Sequence, residues 1–191
     1  MTAWVTSDLW FGSPQAAKLR GFRSPTTMDE ALIQAHNKNV KPEDFVFYLG
    51  SMGQHLDKMA EAVQRLNGVK VLVASPFDQC WMDGSPLYDQ LFDYVRPTGI
   101  LEGQDLVNIS GYQEWVGICM AHFPYDDQPG NERFDHLRPL DDGRLLLCGN
   151  VLSRWLVAKS AATGTMMINV GVDAWQYCPI QVPTAKDVTV Q

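Results

Sequence analysis

The chain is expected to fold as an α/β protein with a single domain over residues 1–191. Three observations predict this. Residues 1–75 alternate strand, helix, strand, helix, strand, the rhythm of parallel strands joined by helical crossovers. The remainder carries short apolar runs separated by turn residues, which predicts a strand-rich and more antiparallel half. No repeat, low-complexity tract or Gly/Ser- or Pro-rich linker interrupts the 191 residues, a length that supports one sizeable core.

Residues 2–6 (Thr-Ala-Trp-Val-Thr) are rich in strand formers and predict the first strand. The stretch from Ser7 to Pro14 follows as a loop. Thr27 and Glu30 have the spacing of a capping box, opening a helix that runs to about residue 39 and stops at Lys41-Pro42. Residues 45–49 (Phe-Val-Phe-Tyr-Leu) form a continuous apolar run, as in a strand covered on both faces. Leu56, Met59, Ala60, Val63 and Leu66 repeat at helical spacing, with Gly68 as the left-handed cap. Residues 69–74 give the third strand. Further strands are expected at 94–96, 99–101, 105–109, 115–120, 144–148 and 165–170, with Glu102-Gly103-Gln104 as a turn. Residues 123–139 make a long polar loop, of a length often tied to function.

Composition narrows the function classes. Fifteen Lys and Arg against 22 Asp and Glu leave a net charge of −7, which repels phosphate backbones and argues against non-specific nucleic-acid binding. No run approaches the ~20 apolar residues of a membrane span. The opening MTAWVTSDLW lacks the basic region of a secretory signal, so a cytoplasmic setting is expected. Cys80, Cys119, Cys148 and Cys178 have no C-x-x-C spacing and read as free thiols. His36, His55 and His136 have no partner at ligand spacing and read as solvent-facing or supporting groups.

Polar residues at the ends of strands are where open α/β sheets place their sites. Here these are Ser7-Asp8-Leu9-Trp10, Gly50-Ser51, Ala74-Ser75-Pro76-Phe77-Asp78, Ala121-His122-Phe123-Pro124 and Cys148-Gly149-Asn150-Val151-Leu152. In that order they resemble the blocks of the calcineurin-like metallophosphoesterases, of the small single-domain bacterial and phage type. Those blocks read Asp-x-His, Gly-Asp, Gly-Asn-His-Asp/Glu, a lone His after a strand, and Gly-His-x-His. Met28-Asp29-Glu30-Ala31-Leu32-Ile33, Leu66-Asn67-Gly68 and the stretch from Asn169 to Trp175 fall in register, so the resemblance covers nearly the whole chain. It implies a sandwich of two mixed β-sheets flanked by helices. It also implies a cleft built for two divalent metals that activate water and clamp a phosphoryl group.

Residue by residue, the resemblance carries over an altered cleft. Asp8 stands at the first carboxylate ligand, His122 at the lone His, and Asp78 at the acid that closes the third block. Trp10 replaces the first His, Ser51 the bridging Asp, Pro76 the Asn ligand, and Phe77 the His that assists the leaving group. Asn150 and Leu152 replace the two histidines of the last block. Trp, Pro, Phe and Leu offer a metal no lone pair, and Ser cannot carry the bridging charge. The resemblance therefore implies a pseudoenzyme, with no catalytic residue and no metal centre. At most one weakly bound divalent metal would rest on the remnants Asp8, His122 and Asn150, with Asp78 adjacent.

The function expected of such a chain is binding, with another protein as partner, met by a rim of Trp10, Phe11, Trp81 and Met82. A phage or mobile-element setting would make it an inhibitor or adaptor in a bacterial cytoplasm; self-association stays open. The alternative is a phosphoesterase with weak or altered activity on a rebuilt one-metal site at Asp8, Asp78, His122 and Asn150. The residues themselves leave His122 as a leftover ligand, a new general base, or a histidine held by local hydrogen bonds. Asp8 and Asp78 remain either an acid pair or caps of their loops.

Overall fold

In a computed structural model, described over residues 1–111, 115–125 and 132–183, two five-stranded mixed sheets pack face to face. The first holds β1 (Ala3–Thr6), β2 (Phe45–Tyr48), β3 (Val69–Val73) and β4 (Tyr94–Arg96), all parallel, with β10 (Ile180–Gln181) antiparallel at the β1 edge. Four helices make the crossovers. These are α1 (Pro14–Leu19) and α2 (Pro25–Asn39) after β1, α3 (Leu56–Val63) after β2, and α4 (Pro86–Leu91) after β3. The second sheet runs in the order β5 (Ile100–Glu102), β6 (Ile118–Ala121), β7 (Leu145–Cys148), β9 (Met166–Asn169), β8 (Val157–Lys159). Its three inner strands are parallel and its two edge strands antiparallel, and α5 (Gly103–Ser110) joins β5 to β6. Among the described residues no helix is long and apolar enough to cross a membrane.

The period of two in the strands divides the core into layers. Phe47, Val71 and Val73 point inward, where they meet Met120, Leu147 and Val170 of the second sheet. Their neighbours Val46, Tyr48 and Leu72 point outward, beneath Met28 and Leu32 of α2 and Met59 and Val63 of α3. This double cover is why residues 45–49 read as an unbroken apolar run. Cys119, Leu146, Cys148 and Met167 cover the outer face of the second sheet, with Tyr125 and Trp155.

Several elements differ from the sequence expectation. The helix α2 starts earlier: Ser24 is its N-cap, Pro25 its first residue, and the capping box joins Ser24 to Thr27 rather than Thr27 to Glu30. The helix α3 ends at Val63, before the proposed cap. Gly68 (φ +101°) serves another need, since a Cβ there would lie 2.7 Å from Val46 Cγ2. Residues 105–109, read as a strand, belong to α5. There Gly103 lets the Val116 carbonyl approach to where a Cβ would sit, and Gly111 in the left-handed region closes the end. The second half is also less antiparallel than expected, because β6, β7 and β9 are parallel. The short elements α1, α4, β8 and β10 gave too few residues for a periodic signal. Within the long loop, Glu132–Leu137 form a 3-10 helix, and residues 126–131 lie outside the described residues.

Candidate functional site

The carboxyl ends of the inner parallel strands of both sheets meet at one edge of the sandwich. A bridge between Ser7 and Gly171 stitches β1 to β9 there. Ser7 Oγ donates to the Leu49 carbonyl at 2.8 Å, tying the β1 loop to the β2 loop. The same carbonyl lies 2.7 Å from His122 Nδ1. A carbonyl only accepts, so Nδ1 carries the proton and Nε2 is left facing Ser51 Oγ at 3.5 Å.

Asp8 is 1% exposed and sits in the left-handed region at φ 62°. Its Oδ2 accepts the Asn150 N–H at 2.8 Å, and its backbone N–H donates to the Gly50 carbonyl. Gly149 and Gly171 make room for this carboxylate; a Cβ at Gly149 would lie 2.9 Å from Oδ2. Burial raises the Asp8 pKa, opposed by the nearby His122, the Asn150 N–H and Arg20.

Asp78 faces the backbone. Its carboxylate accepts the N–H groups of Ser51 (3.0 Å), Met52 (2.8 Å) and Ser75 (2.9 Å), and the Ser75 hydroxyl at 2.7 Å. Four donors on two oxygens lock the β2 and β3 loops together and leave the group committed to structure.

Between these loops stands Phe77. Its ring packs against Trp10 (centroids 5.8 Å apart), His122 (5.7 Å) and Phe134 (5.5 Å), and Phe123 stacks on Phe134 at 5.1 Å. Aromatic edges and faces thus occupy the place where the strand-end loops converge. Pro76 lies beside them in the same loop and is half-buried.

The backbone here is unusual. Eight non-glycine residues among those described have positive φ, and five of them are Asp8, Trp10, Ser51, Asn150 and Leu152. A bulky residue pays for that conformation, roughly 1–2 kcal/mol, and such outliers persist where surrounding structure dictates them. The strand-end turns therefore hold the left-handed shape even where they carry bulky side chains such as Trp10 and Leu152.

The proposed rim is not assembled as expected. Phe11 is 0% exposed and belongs to the core under the helices. Trp81 is half-buried over Gly99, and only Met82, at 63%, is fully open. His36 is likewise buried rather than solvent-facing, with Nε2 3.0 Å from the Asn67 carbonyl and burial pushing its pKa down to about 4. His55 and His136 are exposed.

Three residues of the site were not singled out by the sequence. Arg20, at the end of α1, grips Asp173 through Nε (2.8 Å) and Nη2 (2.7 Å), and donates to the carbonyls of Asp8 and Leu9. The two partners are 153 residues apart. Asn169 donates to the carbonyls of Leu152 and Trp155 and so positions the loop after β7. Asp173 and Asn169 both fall in the stretch from Asn169 to Trp175 that the resemblance covers, where β9 ends at Asn169 and Val172–Ala174 form a 3-10 helix. A cavity of about 320 Å³ opens beside Asp8, walled by Trp10, Leu152 and α1.

Neither a protein-family model nor a curated protein matches the chain. Among solved structures the chain is similar to the protein of unknown function AQ665 from Aquifex aeolicus. The two are 21% identical over 94% of this chain and 95% of that one, with a TM-score of 0.64, which shows a shared fold. A phosphopantetheinyl hydrolase (PptH) from Mycobacterium tuberculosis aligns over 97% of both chains at 13% identity and a TM-score of 0.46.

Proposed function

We propose that the chain is a pseudoenzyme on a calcineurin-like metallophosphoesterase scaffold, acting as an inhibitor or adaptor by binding another protein through the edge where the metal cleft would lie. One observation carries the reading. The ring of Phe77 fills the convergence of the strand-end loops, against Trp10 and His122, while the turns beneath keep their left-handed shape.

The donor set does not fit a two-metal centre. A bridging carboxylate is needed between the ions, and the residue at that turn is Ser51. Asp78 is spent on three backbone N–H groups and the Ser75 hydroxyl, which leaves Asp8 and the Nε2 of His122 as one carboxylate and one imidazole, too few donors for two close dications. Among the described residues no group of three or more His, Cys, Asp or Glu is placed to hold a metal. The partner side of the reading rests on apolar side chains open to solvent at the cavity beside Asp8, Leu19 and Leu152.

The test adds manganese and assays phosphomonoester and phosphodiester substrates. Turnover at the buffer level, with no stoichiometric metal retained after purification, is the expected result. Robust turnover that disappears in Asp8→Ala overturns the proposal in favour of a rebuilt hydrolase.

A further inference from the structure

The cavity beside Asp8 has a chemistry of its own. Its lining combines the polar residues Asp8, Ser13 and Asn150 with the apolar Trp10, Leu19 and Leu152. Asp8 Oδ2 is bound to the Asn150 N–H, whereas Oδ1 has no hydrogen-bond partner among the described residues. The side-chain amide of Asn150 is equally uncommitted. Arg20 also lines the cavity but has nothing left to offer. Its guanidinium sends Nε and Nη2 to Asp173, Nη2 also to the Asp8 carbonyl, and Nη1 to the Leu9 carbonyl and Met28 Sδ. All five N–H groups of an arginine are thereby used. The positive charge of Arg20 is balanced by Asp173, so Asp8 is the acidic group of the cavity lining without an ion-pair partner, and a cation seated there would favour its ionised form.

An anionic ligand would find no uncommitted cationic donor among the residues lining the cavity. A bare metal ion would find one carboxylate. We infer that the cavity receives an alkylammonium group, its charge on Asp8 Oδ1 and its carbon stem along Trp10 and Leu152. The indole wall adds attraction for a cation over its face, and a buried carboxylate with one uncommitted oxygen forms a strong charge-assisted bond to an N–H donor. The volume of about 320 Å³ admits an alkylammonium group with room to spare, so the selection rests on charge rather than on size. The shared chemistry has two sources, the lysine of a docked protein or a free small amine. The inference rests on the binding-protein reading and names the chemistry its partner presents.

The test titrates the purified full chain, by calorimetry, with n-butylammonium, 1-butanol, butyrate and inorganic phosphate, and with a peptide holding a single central lysine. Butylammonium is expected to bind at least tenfold tighter than butanol, with butyrate and phosphate weaker still. A peptide that binds better than butylammonium identifies lysine as the source, and one that binds worse identifies a free amine. Asp8→Asn, which keeps the acceptor for the Asn150 N–H, is expected to reduce butylammonium binding to the level of butanol. Equal binding of butyrate or phosphate in the wild-type chain overturns the inference, whatever the variant does, and so does Asp8→Asn with undiminished amine binding. A manganese titration separates the two failures. Tight manganese binding with turnover removes the binding-protein reading, whereas absence of both metal and amine binding removes only the ammonium site.

Discussion

At the scale of single residues, the cleft shows how little of an electrostatic environment is carried by residue identity. Asp8 and Asp78 are both buried aspartates at strand ends, yet Asp78 is saturated by four donors and Asp8 keeps one oxygen uncommitted. Asp78→Ala would strand three backbone N–H groups in the interior. At about 1–3 kcal/mol for each unsatisfied donor, the variant is expected to lose at least 3 kcal/mol of stability in urea unfolding. A loss below about 1 kcal/mol would mean that the β2 and β3 loops hold together by other means. The blocks made both aspartates visible in the sequence, but not this division of labour. Still less visible was Arg20, whose partner Asp173 lies 153 residues away and follows no periodicity.

At the scale of elements, long or doubly covered segments were legible and short or ambiguous ones were not. The apolar run at residues 45–49 and the stripe from Leu56 to Val63 each fit one period only, and each formed the element expected. Leu106, Val107 and Ile109 fit either period. The decision lay with Gly103, pressed on the Val116 carbonyl, and with Gly111 as the helix stop. The same close contact of backbone governs how the sheets join. A Cβ on Gly149 would lie 2.0 Å from Ser7 Oγ and 2.7 Å from Ser7 Cβ. Gly149→Ala is therefore expected to push the β7 loop off the β1 loop and cost about 1–3 kcal/mol. The double variant Ser7→Gly, Gly149→Ala is expected to recover part of that loss, which thermal melts of the three proteins will show.

At the scale of the whole molecule, one buried histidine makes stability depend on pH. His36 joins α2 to the turn before β3, and its pKa is pushed down from 6.5 to about 4 by burial. The unfolded chain takes up this proton first as pH falls. The contribution is complete above about pH 6.5 and is lost progressively down to about pH 4, by at most about 3 kcal/mol. Asp8 and Asp29, both raised by burial, act in the opposite sense. Comparison with His36→Gln isolates the histidine: the variant's urea midpoint is expected to fall less between pH 7.5 and pH 5 than that of the parent chain. The left-handed turns at Asp8, Trp10, Ser51, Asn150 and Leu152 act on a longer timescale than any titration. They sort mutations by shape before chemistry is tested. Valine, isoleucine and threonine are barred by their branched Cβ, while residues unbranched there pass with little further cost. The outline of this edge is thus set by the backbone and its contents by the side chains, so a substitution that passes the filter of shape alters what the edge offers a ligand without redrawing the edge itself.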